Sequence, residues 1–261
     1  MNQRDKTLKA FNRLLDIMDE LREKCPWDKE QTMESLRTLT IEETYELSDA
    51  ILELQDGYGN IVKELGDILL HIVFYAKIGS ELGEFTMEDV VQKLSDKLVY
   101  RHPHVFGTTE VGGAGEVVEN WEKLKITEKD GNKSVLSGVP SGLPALIKAY
   151  RMQDKVRAVG FDWEEREQVW DKVEEELGEF KEAQKKGDAE EMEEEFGDIL
   201  FSIVNAARLY DINPETALER TNRKFIRRFN YLEQETIKKG RSLKEMTLAE
   251  MDAIWEKAKG V

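Results

Sequence analysis

Residues 61–76 read IVKELGDILLHIVFYA, and residues 192–207 read MEEEFGDILFSIVNAA. In both segments the apolar residues recur at intervals of three and four, which is the period of one face of an α-helix. Glu64-Leu-Gly-Asp67 in the first segment returns as Glu195-Phe-Gly-Asp198 in the second, at an offset of 131 (195 minus 64). The two segments therefore predict two copies of one amphipathic, acidic helix.

Other landmarks repeat in the same order, at offsets between 127 and 134. The repeated pairs are Glu42-Glu43-x-x-Glu46 with Glu175-Glu176-x-x-Glu179, Trp27-Asp28 with Phe161-Asp162, Lys97 with Lys224, and Trp121 with Trp255. A repeat of this length is typical of tandem copies of one structural unit. We predict an N-terminal domain at 1–130, a linker at 131–142 within a Gly-, Pro- and Ser-rich stretch, and a C-terminal domain at 143–261.

Composition also favours an all-α fold of two tandem helical bundles. Charged residues make up 35% of the chain, and only 5 of its 261 residues are proline. Alternating runs of β-branched residues are scarce, so strands are not predicted. The predicted helices lie at 6–24, 34–55, 60–82, 87–100, 116–128, 144–158, 165–186, 188–210, 214–238 and 247–258.

The formal net charge of −16 limits the possible partners. An acidic surface repels phosphate backbones, so nucleic-acid binding is not expected. If the ligand is a polyphosphate, metal cations must mediate the contact.

The chain is expected to be cytoplasmic. Its single cysteine, Cys25, cannot form an internal disulfide, and its first residues lack the apolar region of a signal peptide. The most apolar run, 65–79, contains charged residues and is too short to span a bilayer. No membrane partner is expected.

The carboxylates of the first copy form a pattern that suits metal binding. On a helical wheel, Glu42, Glu43 and Glu46 fall within one 100° arc that apolar residues border on both sides. Glu64 and Asp67 lie 60° apart on the next helix. If the two helices pack antiparallel, five carboxylates converge, and such a set of hard oxygen ligands suits Mg²⁺, with Mn²⁺ as a substitute. The second copy repeats these positions, with apolar neighbours on one side only of its first acidic helix.

The repeated carboxylate motifs resemble those of the MazG family of nucleoside triphosphate pyrophosphohydrolases. Four further segments share this resemblance: CPWD at 25–28, RHPHVFG at 101–107, GFDW at 160–163 and TNRKFIRRF at 221–229. This family belongs to the all-α NTP pyrophosphatase group. The resemblance covers nearly the whole chain and implies Mg²⁺-dependent hydrolysis of nucleoside triphosphates to the monophosphate and pyrophosphate. The role that it suggests is nucleotide-pool housekeeping or stress-linked nucleotide clearance. It also implies a homodimer, and we expect one because two acidic helices alone leave the site open on one side.

The resemblance also implies roles for individual residues of the second copy. The implied Mg²⁺ ligands are Glu176, Glu179, Glu195 and Asp198. The implied contacts to the nucleotide are Lys172, Lys224 and Arg228 on the phosphate side and Trp255. Met192 stands where the family can carry a further basic residue.

We predict metal binding in both copies, with Glu43, Glu46, Glu64 and Asp67 as the ligands of the first. Turnover is predicted in the second copy, because it surrounds its acidic pair with more positive charge, and phosphoryl transfer depends on such charge. The cations of the second copy are Lys172, Lys224, Arg227 and Arg228, where the first copy has Leu39, Lys97, Tyr100 and Arg101. Either Glu175 or Glu176 can act as the general base while the other holds the metal.

Structural interpretations of some of these residues stay open. Lys224 and Arg228 can serve the dipole at a helix end, and Trp255 can be a core aromatic residue. His102 and His104 are interpreted as structural, because the second copy has no histidine at the matching positions.

Two other classes of protein compete with this hypothesis. A di-iron carboxylate bundle needs Glu-x-x-His on two helices, but the candidate His71 is replaced by Ser202 in the second copy. A non-catalytic helical adaptor or nucleotide-binding regulator would bind nucleotide without turnover.

Overall fold

The computed structural model describes residues 2–128, 133–238 and 240–260. Within these residues it contains twelve α-helices, four short 3₁₀-helices and no β-strand. The predicted all-α fold is confirmed. None of the helices in the described ranges is both long and apolar enough to cross a membrane.

The chain divides into two compact units, residues 1–109 (unit 1) and 110–261 (unit 2). The helices of unit 1 are α1 (Gln3–Lys24), α2 (Pro26–Glu30), α3 (Met33–Leu52), α4 (Gly59–Glu81), α5 (Met87–Arg101) and α6 (Pro103–Phe106). The helices of unit 2 are α7 (Ala114–Thr127), α8 (Ala145–Arg157), α9 (Gln168–Lys186), α10 (Ala189–Leu209), α11 (Pro214–Lys238) and α12 (Leu248–Lys257).

The compact units and the predicted domains divide the chain at different points. Helix α7 falls in unit 2, whereas the sequence repeat assigns it to the predicted domain 1–130. Compactness and sequence repetition are different criteria, so the bounds 1–130, 131–142 and 143–261 stay a prediction. Residues 131 and 132 of the predicted linker lie outside the described residues.

Two short helices, α2 and α6, were not predicted. Each has a proline at its first position, Pro26 and Pro103, where the fixed φ of proline suits a helix start and its missing N–H costs nothing. The helix predicted at 34–55 ends at Leu52, and residues 54–56 form a 3₁₀ turn instead. The helix predicted at 165–186 begins later, at Gln168.

Local capping fixes where the acidic helices begin and end. Helix α3 begins with a capping box in which Thr32 and Ser35 exchange side-chain and backbone hydrogen bonds. Helix α9 ends at Gly187, whose φ of 72° is left-handed, and Asp188 then accepts hydrogen bonds from the first backbone N–H groups of α10. This two-residue connection turns α10 back along α9, so the two helices form an antiparallel hairpin.

Each unit packs its acidic hairpin on a core of its own. In unit 1, Met18 of α1 and Leu36 of α3 pack with Val73, Phe74 and Ile78 of α4. The buried apolar residues of unit 2 include Val169, Val173, Ala183, Ile199, Val204, Leu232 and Ile254. Burying each larger side chain contributes about 1.5–3 kcal/mol, which holds α3 against α4 and α9 against α10. The cores therefore fix the helices that carry the carboxylates.

Candidate metal and nucleotide site

In unit 1, α3 and α4 bring together three of the five carboxylates that were predicted to converge, and Glu42 is not among the three. Oxygen atoms of Glu43, Glu64 and Asp67 all lie within 4.8 Å of one another, and we call these three residues the unit 1 cluster. Glu46, the fourth predicted ligand, is exposed and lies outside this group. The hairpin thus brings together three of the four predicted ligands.

A lysine that the sequence analysis did not identify lies beside the unit 1 cluster. Lys63 Nζ lies 2.9 Å from Glu64 Oε1, 3.7 Å from Glu46 Oε2 and 3.8 Å from Asp67 Oδ2. Its hydrogen bond with Glu64 raises the pKa of the Lys63 ammonium group. Because Lys63 is next to Glu64 in the chain and one helical turn from Asp67, sequence spacing gave a signal for this contact.

In unit 2, the matching cluster comprises Glu176 and Glu179 of α9 and Glu195 of α10, with oxygen atoms within 4.8 Å of one another. We call these three residues the unit 2 cluster. Asp198, the fourth predicted ligand, is exposed and outside the group, but its charge helps to raise the pKa of Glu195. Glu176 is the buried member, with 5% of its surface exposed.

The cation of the unit 2 cluster is Lys172, one helical turn before Glu176 on α9. Its Nζ lies 2.7 Å from Glu176 Oε1 and 2.9 Å from Glu175 Oε1. Hydrogen bonds to Glu176 and Glu175 raise the pKa of Lys172 well above its usual range. In this state the ammonium group is paired with the two carboxylates that were predicted to share the roles of ligand and base.

Crowding of negative charge perturbs both clusters. Loss of hydration and the charges of Asp67 and Glu46 raise the pKa of Glu43. A hydrogen bond with Glu176, loss of hydration and the charge of Glu195 raise the pKa of Glu179. Such shifts mark groups whose ionised form lacks a compensating positive charge.

The donor set fits a hard divalent cation. Glu64 is 7% exposed, and its buried Oε2 has no hydrogen-bond partner. A buried carboxylate oxygen is costly without a partner, and a cation is the partner that removes this cost. Ligand oxygens on opposite sides of a Mg²⁺ ion are about 4 Å apart, so oxygens within 4.8 Å of one another need only a small closure to share one ion.

The other predicted cations lie on α11. Lys224 and Arg227 are exposed, and the guanidinium carbon of Arg228 lies 5.9 Å from the centre of the Trp255 ring. Trp255 also packs against Phe225, with ring centres 5.1 Å apart. Among the described residues, no hydrogen bond or ion pair joins these cations to the carboxylates, so their role in binding phosphate stays a prediction.

His71 and His102 contact neighbouring protein groups, and neither belongs to a carboxylate cluster. His71 is buried, and its Nδ1 lies 2.8 Å from Thr40 Oγ1, which also lies 2.7 Å from the hydroxyl of Tyr75. His102 Nδ1 contacts the carbonyl oxygen of Leu98 at 2.6 Å. Within the described residues, neither metal-type cluster includes a histidine, which does not favour a di-iron centre.

A second feature that the sequence analysis did not identify is a cavity of about 490 Å³ in unit 2, lined by Leu136 and by residues of α8, α10 and the segment between α8 and α9. Its wall includes Phe161, Asp162 and Trp163 of the GFDW motif. This motif carried part of the family resemblance, but no role was assigned to it. The pairing of Asp162 with Arg208 of α10 depends on tertiary structure, because 46 residues separate them.

Comparison with known proteins agrees with the repeat. The MazG nucleotide pyrophosphohydrolase domain matches the chain twice, at residues 31–106 and 164–232. Each match spans one acidic hairpin, with α3 and α4 in the first and α9 and α10 in the second.

Relatives match over nearly the full chain. A nucleoside triphosphate pyrophosphohydrolase/pyrophosphatase MazG from Thermotoga maritima is 47% identical over 253 residues, covering 96% of each chain. A nucleoside triphosphate pyrophosphohydrolase from Escherichia coli K12 is 39% identical, covering 97% of this chain and 98% of its own. An uncharacterized Bacillus subtilis protein, YabN, is 46% identical, and its match covers 95% of this chain but 51% of the longer relative. With two matched domains and these full-length relatives, the chain belongs to the MazG family.

Proposed function

We propose that the protein hydrolyses nucleoside triphosphates to the nucleoside monophosphate and pyrophosphate, in a Mg²⁺-dependent reaction at the unit 2 cluster. The observation that carries the proposal is the convergence of Glu176, Glu179 and Glu195 beside Lys172. Two full-length relatives have names that state this activity. The proposed role is the removal of triphosphates from the nucleotide pool.

In this proposal some carboxylates of unit 2 are metal ligands and another is the general base. Glu176, Glu179 and Glu195 would hold Mg²⁺, and the exposed Asp198, one helical turn after Glu195 on α10, would complete the set. Bound Mg²⁺ neutralises charge on the phosphate oxygens and lowers the pKa of a coordinated water. Because Glu175 lies outside the cluster, it is better placed than Glu176 to take the proton of the attacking water.

Lys172 then exchanges partners. When a cation occupies the cluster, Glu176 no longer needs the ammonium group, which is free to contact a phosphate oxygen. Water attacks the α-phosphorus, the bond from that phosphorus to the bridging oxygen breaks, and pyrophosphate leaves. Lys224, Arg227 and Arg228 add positive charge on the phosphate side.

Incubation with each of the four nucleoside triphosphates and Mg²⁺ in ¹⁸O-labelled water tests the proposal. The expected products are the monophosphate, carrying one ¹⁸O atom, and unlabelled pyrophosphate. Release of inorganic phosphate with a diphosphate would instead show attack at the γ-phosphorus. Binding without turnover in Mg²⁺ would favour the nucleotide-binding regulator.

We also propose that the protein assembles as a homodimer through the apolar faces of α4 and α10. Leu65, Leu69 and Ile72 of α4 are between 36% and 51% exposed, and three apolar residues at the matching positions of α10 are between 44% and 52% exposed. These residues of α10 are Phe196, Leu200 and Ile203. The same uncharged face in both copies is self-complementary, so a second copy of this chain is the partner that it fits.

Sedimentation of the double variant Leu69→Glu/Leu200→Glu tests the assembly. We expect a dimer for the unmodified chain and a monomer for the variant, because two charges on an apolar interface cannot be hydrated. Leu248→Glu is the matched control, since Leu248 is 71% exposed and belongs to α12 and not to α4 or α10. A monomeric unmodified chain at micromolar concentration would contradict the proposal.

A further inference from the structure

The cavity in unit 2 has the size and walls of a small-molecule site. Its volume of about 490 Å³ lies within the range of roughly 300–1,000 Å³ that is usual for ligand pockets. The apolar and aromatic side chains that line it are Leu136, Met152, Val156, Phe161, Trp163 and Phe201. None of the carboxylates of the unit 2 cluster lines it, so it is a separate compartment.

Gln153 of α8 carries an unpaired acceptor in the wall of this cavity. The residue is 4% exposed, and its Nε2 donates a hydrogen bond to the backbone carbonyl oxygen of Phe201 at 2.9 Å. Because a carbonyl oxygen can only accept, this bond fixes which end of the amide is the nitrogen. The buried Oε1 has no hydrogen-bond partner and is closed to solvent, so an N–H group of a ligand can satisfy this acceptor once a small shift of the wall exposes it.

The charged residues of the wall neutralise one another. Arg208, which is 7% exposed, donates to both carboxylate oxygens of Asp162. Its Nε and Nη2 also donate to Asn205 Oδ1, at 3.1 and 2.9 Å. A guanidinium group that is already paired in this way attracts anions weakly, so the cavity suits a neutral ring better than a phosphate.

The cavity lies along α10 from the carboxylates. Phe201 follows Asp198 by one helical turn, about 4.5 Å along the axis, and Asn205 follows by about 10 Å on the same face as Asp198. A ligand with its phosphates at the cluster would therefore extend its other end along α10 to reach the cavity.

We propose that this cavity binds the nucleobase of the substrate. Gln153 Oε1 accepts a hydrogen bond from an N–H group of the base, and the rings of Phe161 and Trp163 cover its faces, because aromatic side chains stack on any base. This inference rests on the proposed triphosphate hydrolysis, to which it adds a site for the base distinct from the predicted contact at Trp255.

Unit 1 has a smaller cavity at the matching place, of about 310 Å³, whose wall includes Met18, Asp19 and Lys77. Asp19, which matches Gln153 at the offset of 134 given by Trp27-Asp28 and Phe161-Asp162, forms an ion pair of 2.6 Å with Lys77. Phe74, which matches Asn205 at the offset of 131, is 3% exposed and belongs to the core of unit 1. Both units therefore leave a cavity at this place, but the cavity of unit 1 is smaller and has an ion pair in its wall, whereas the larger cavity of unit 2 has the uncharged amides of Gln153 and Asn205.

Two variants test the cavity. Gln153→Met keeps the length of the side chain but removes the acceptor, and Asn205→Phe introduces into the wall the ring that unit 1 has at the matching position. We expect each to raise KM for the nucleoside triphosphates about tenfold or more and to change the preference among the four bases, because a lost buried hydrogen bond or a filled pocket weakens base binding. Calorimetric affinity of unit 2 for Mn²⁺ alone is expected to stay unchanged.

Direct binding of the four nucleosides, which lack phosphates, separates the cavity from the chemistry. We expect binding to the unmodified protein and to the control Asp19→Asn, and weaker binding to both cavity variants. If the unmodified protein hydrolyses no triphosphate but binds nucleosides in a Gln153-dependent way, the proposed function fails and the cavity assignment holds.

Three results would overturn the assignment. The first is unmodified KM and nucleoside binding in folded Gln153→Met and Asn205→Phe. The second is loss of nucleoside binding in Trp255→Leu but not in Gln153→Met, which would move the base to Trp255. The third is a changed sedimentation coefficient with unchanged nucleoside binding, which would make the cavity part of a subunit contact.

Discussion

The two acidic hairpins hold equivalent carboxylates, but each places its cation differently. In unit 1 the cation is Lys63, which comes from the second helix of the hairpin and contacts three carboxylates. In unit 2 it is Lys172, which comes from the first helix and contacts two adjacent carboxylates on its own helix. Neither lysine is repeated in the other unit: unit 1 has Leu39 at the position of Lys172, and unit 2 has Glu194 at the position of Lys63.

This difference shows which features a duplicated hairpin retains and which it changes. The ligand-type positions are retained in both copies, since metal coordination requires several oxygens at fixed places. The surroundings of these positions differ. In unit 1 the Asp19–Lys77 ion pair lines a cavity of about 310 Å³, whereas in unit 2 Gln153 and Asn205 line one of about 490 Å³. The comparison predicts two metal sites of which only one uses a nucleotide.

The largest expected effect comes from replacing the carboxylate at one matching position in each unit, a position that belongs to the cluster in unit 2 but not in unit 1. Glu179→Gln should lower kcat at least 100-fold, because a bound metal contributes several kcal/mol to the stabilisation of the transition state and each 1.36 kcal/mol is a factor of ten. Glu46→Gln, the matched change in unit 1, should keep kcat within about twofold. Steady-state kinetics with one triphosphate measures both. Full activity of Glu179→Gln together with loss in Glu46→Gln would place the chemistry in unit 1.

Replacing the lysines tests the role of the cations. Lys63→Met should tighten Mn²⁺ binding to unit 1 about fivefold, since a unit charge at 3–4 Å near solvent contributes about 1 kcal/mol. Lys172→Met should also tighten Mn²⁺ binding to unit 2 but should lower kcat/KM, because this ammonium group is proposed to contact phosphate. Calorimetry in a Glu176→Gln background isolates unit 1 for the first measurement. Unchanged Mn²⁺ affinity in Lys63→Met would show that the lysine does not compete with metal.

Sequence reasoning predicted the parts of this molecule that depend on local pattern. The period of the apolar residues defined the helices, and the spacing of Glu43, Glu64 and Asp67 correctly predicted that they converge. The exclusion of Glu46 and Asp198 from the clusters was not predictable, because it depends on side-chain rotamers. The cavity beside Gln153 was not predictable either, since it requires the packing of α8 against α10.

The connection between α9 and α10 allows a smaller test. Gly187→Ala should lower the free energy of unfolding by about 1 kcal/mol, because φ at this position is 72° and a Cβ atom is strained there. Gly178→Ala on α9 is the control, since nothing lies within 4 Å of an added Cβ atom and its backbone is helical. Denaturant unfolding measures the difference. If Gly187→Ala also lowered metal affinity in unit 2, the turn would set the spacing of the carboxylates.

The smallest expected effect is the pH dependence of metal stabilisation. The pKa values of Glu179 and Glu195 in unit 2, and of Glu43 in unit 1, are raised above the ordinary value of 4.5. A carboxyl group with a raised folded pKa contributes stability that is present below its ordinary pKa and is lost as pH rises through the folded value. Metal binding reverses this loss and competes with protons for the same oxygens, so both effects make Mg²⁺ stabilise the fold more at pH about 7.5 than at pH about 5. Thermal unfolding with and without saturating Mg²⁺ should therefore give a Tm shift that is a few degrees larger at the higher pH.

Two variants separate the contributions of the two units to this pH dependence. Glu64→Gln leaves only the unit 2 cluster intact, and Glu176→Gln leaves only the unit 1 cluster intact. We expect the larger pH dependence in Glu64→Gln, because among the described residues unit 2 has two carboxyl groups with a raised pKa and unit 1 has one. An equal pH dependence in the two variants would show that the clusters titrate alike, and that the difference between the units lies only in the placement of the lysines and in the cavity.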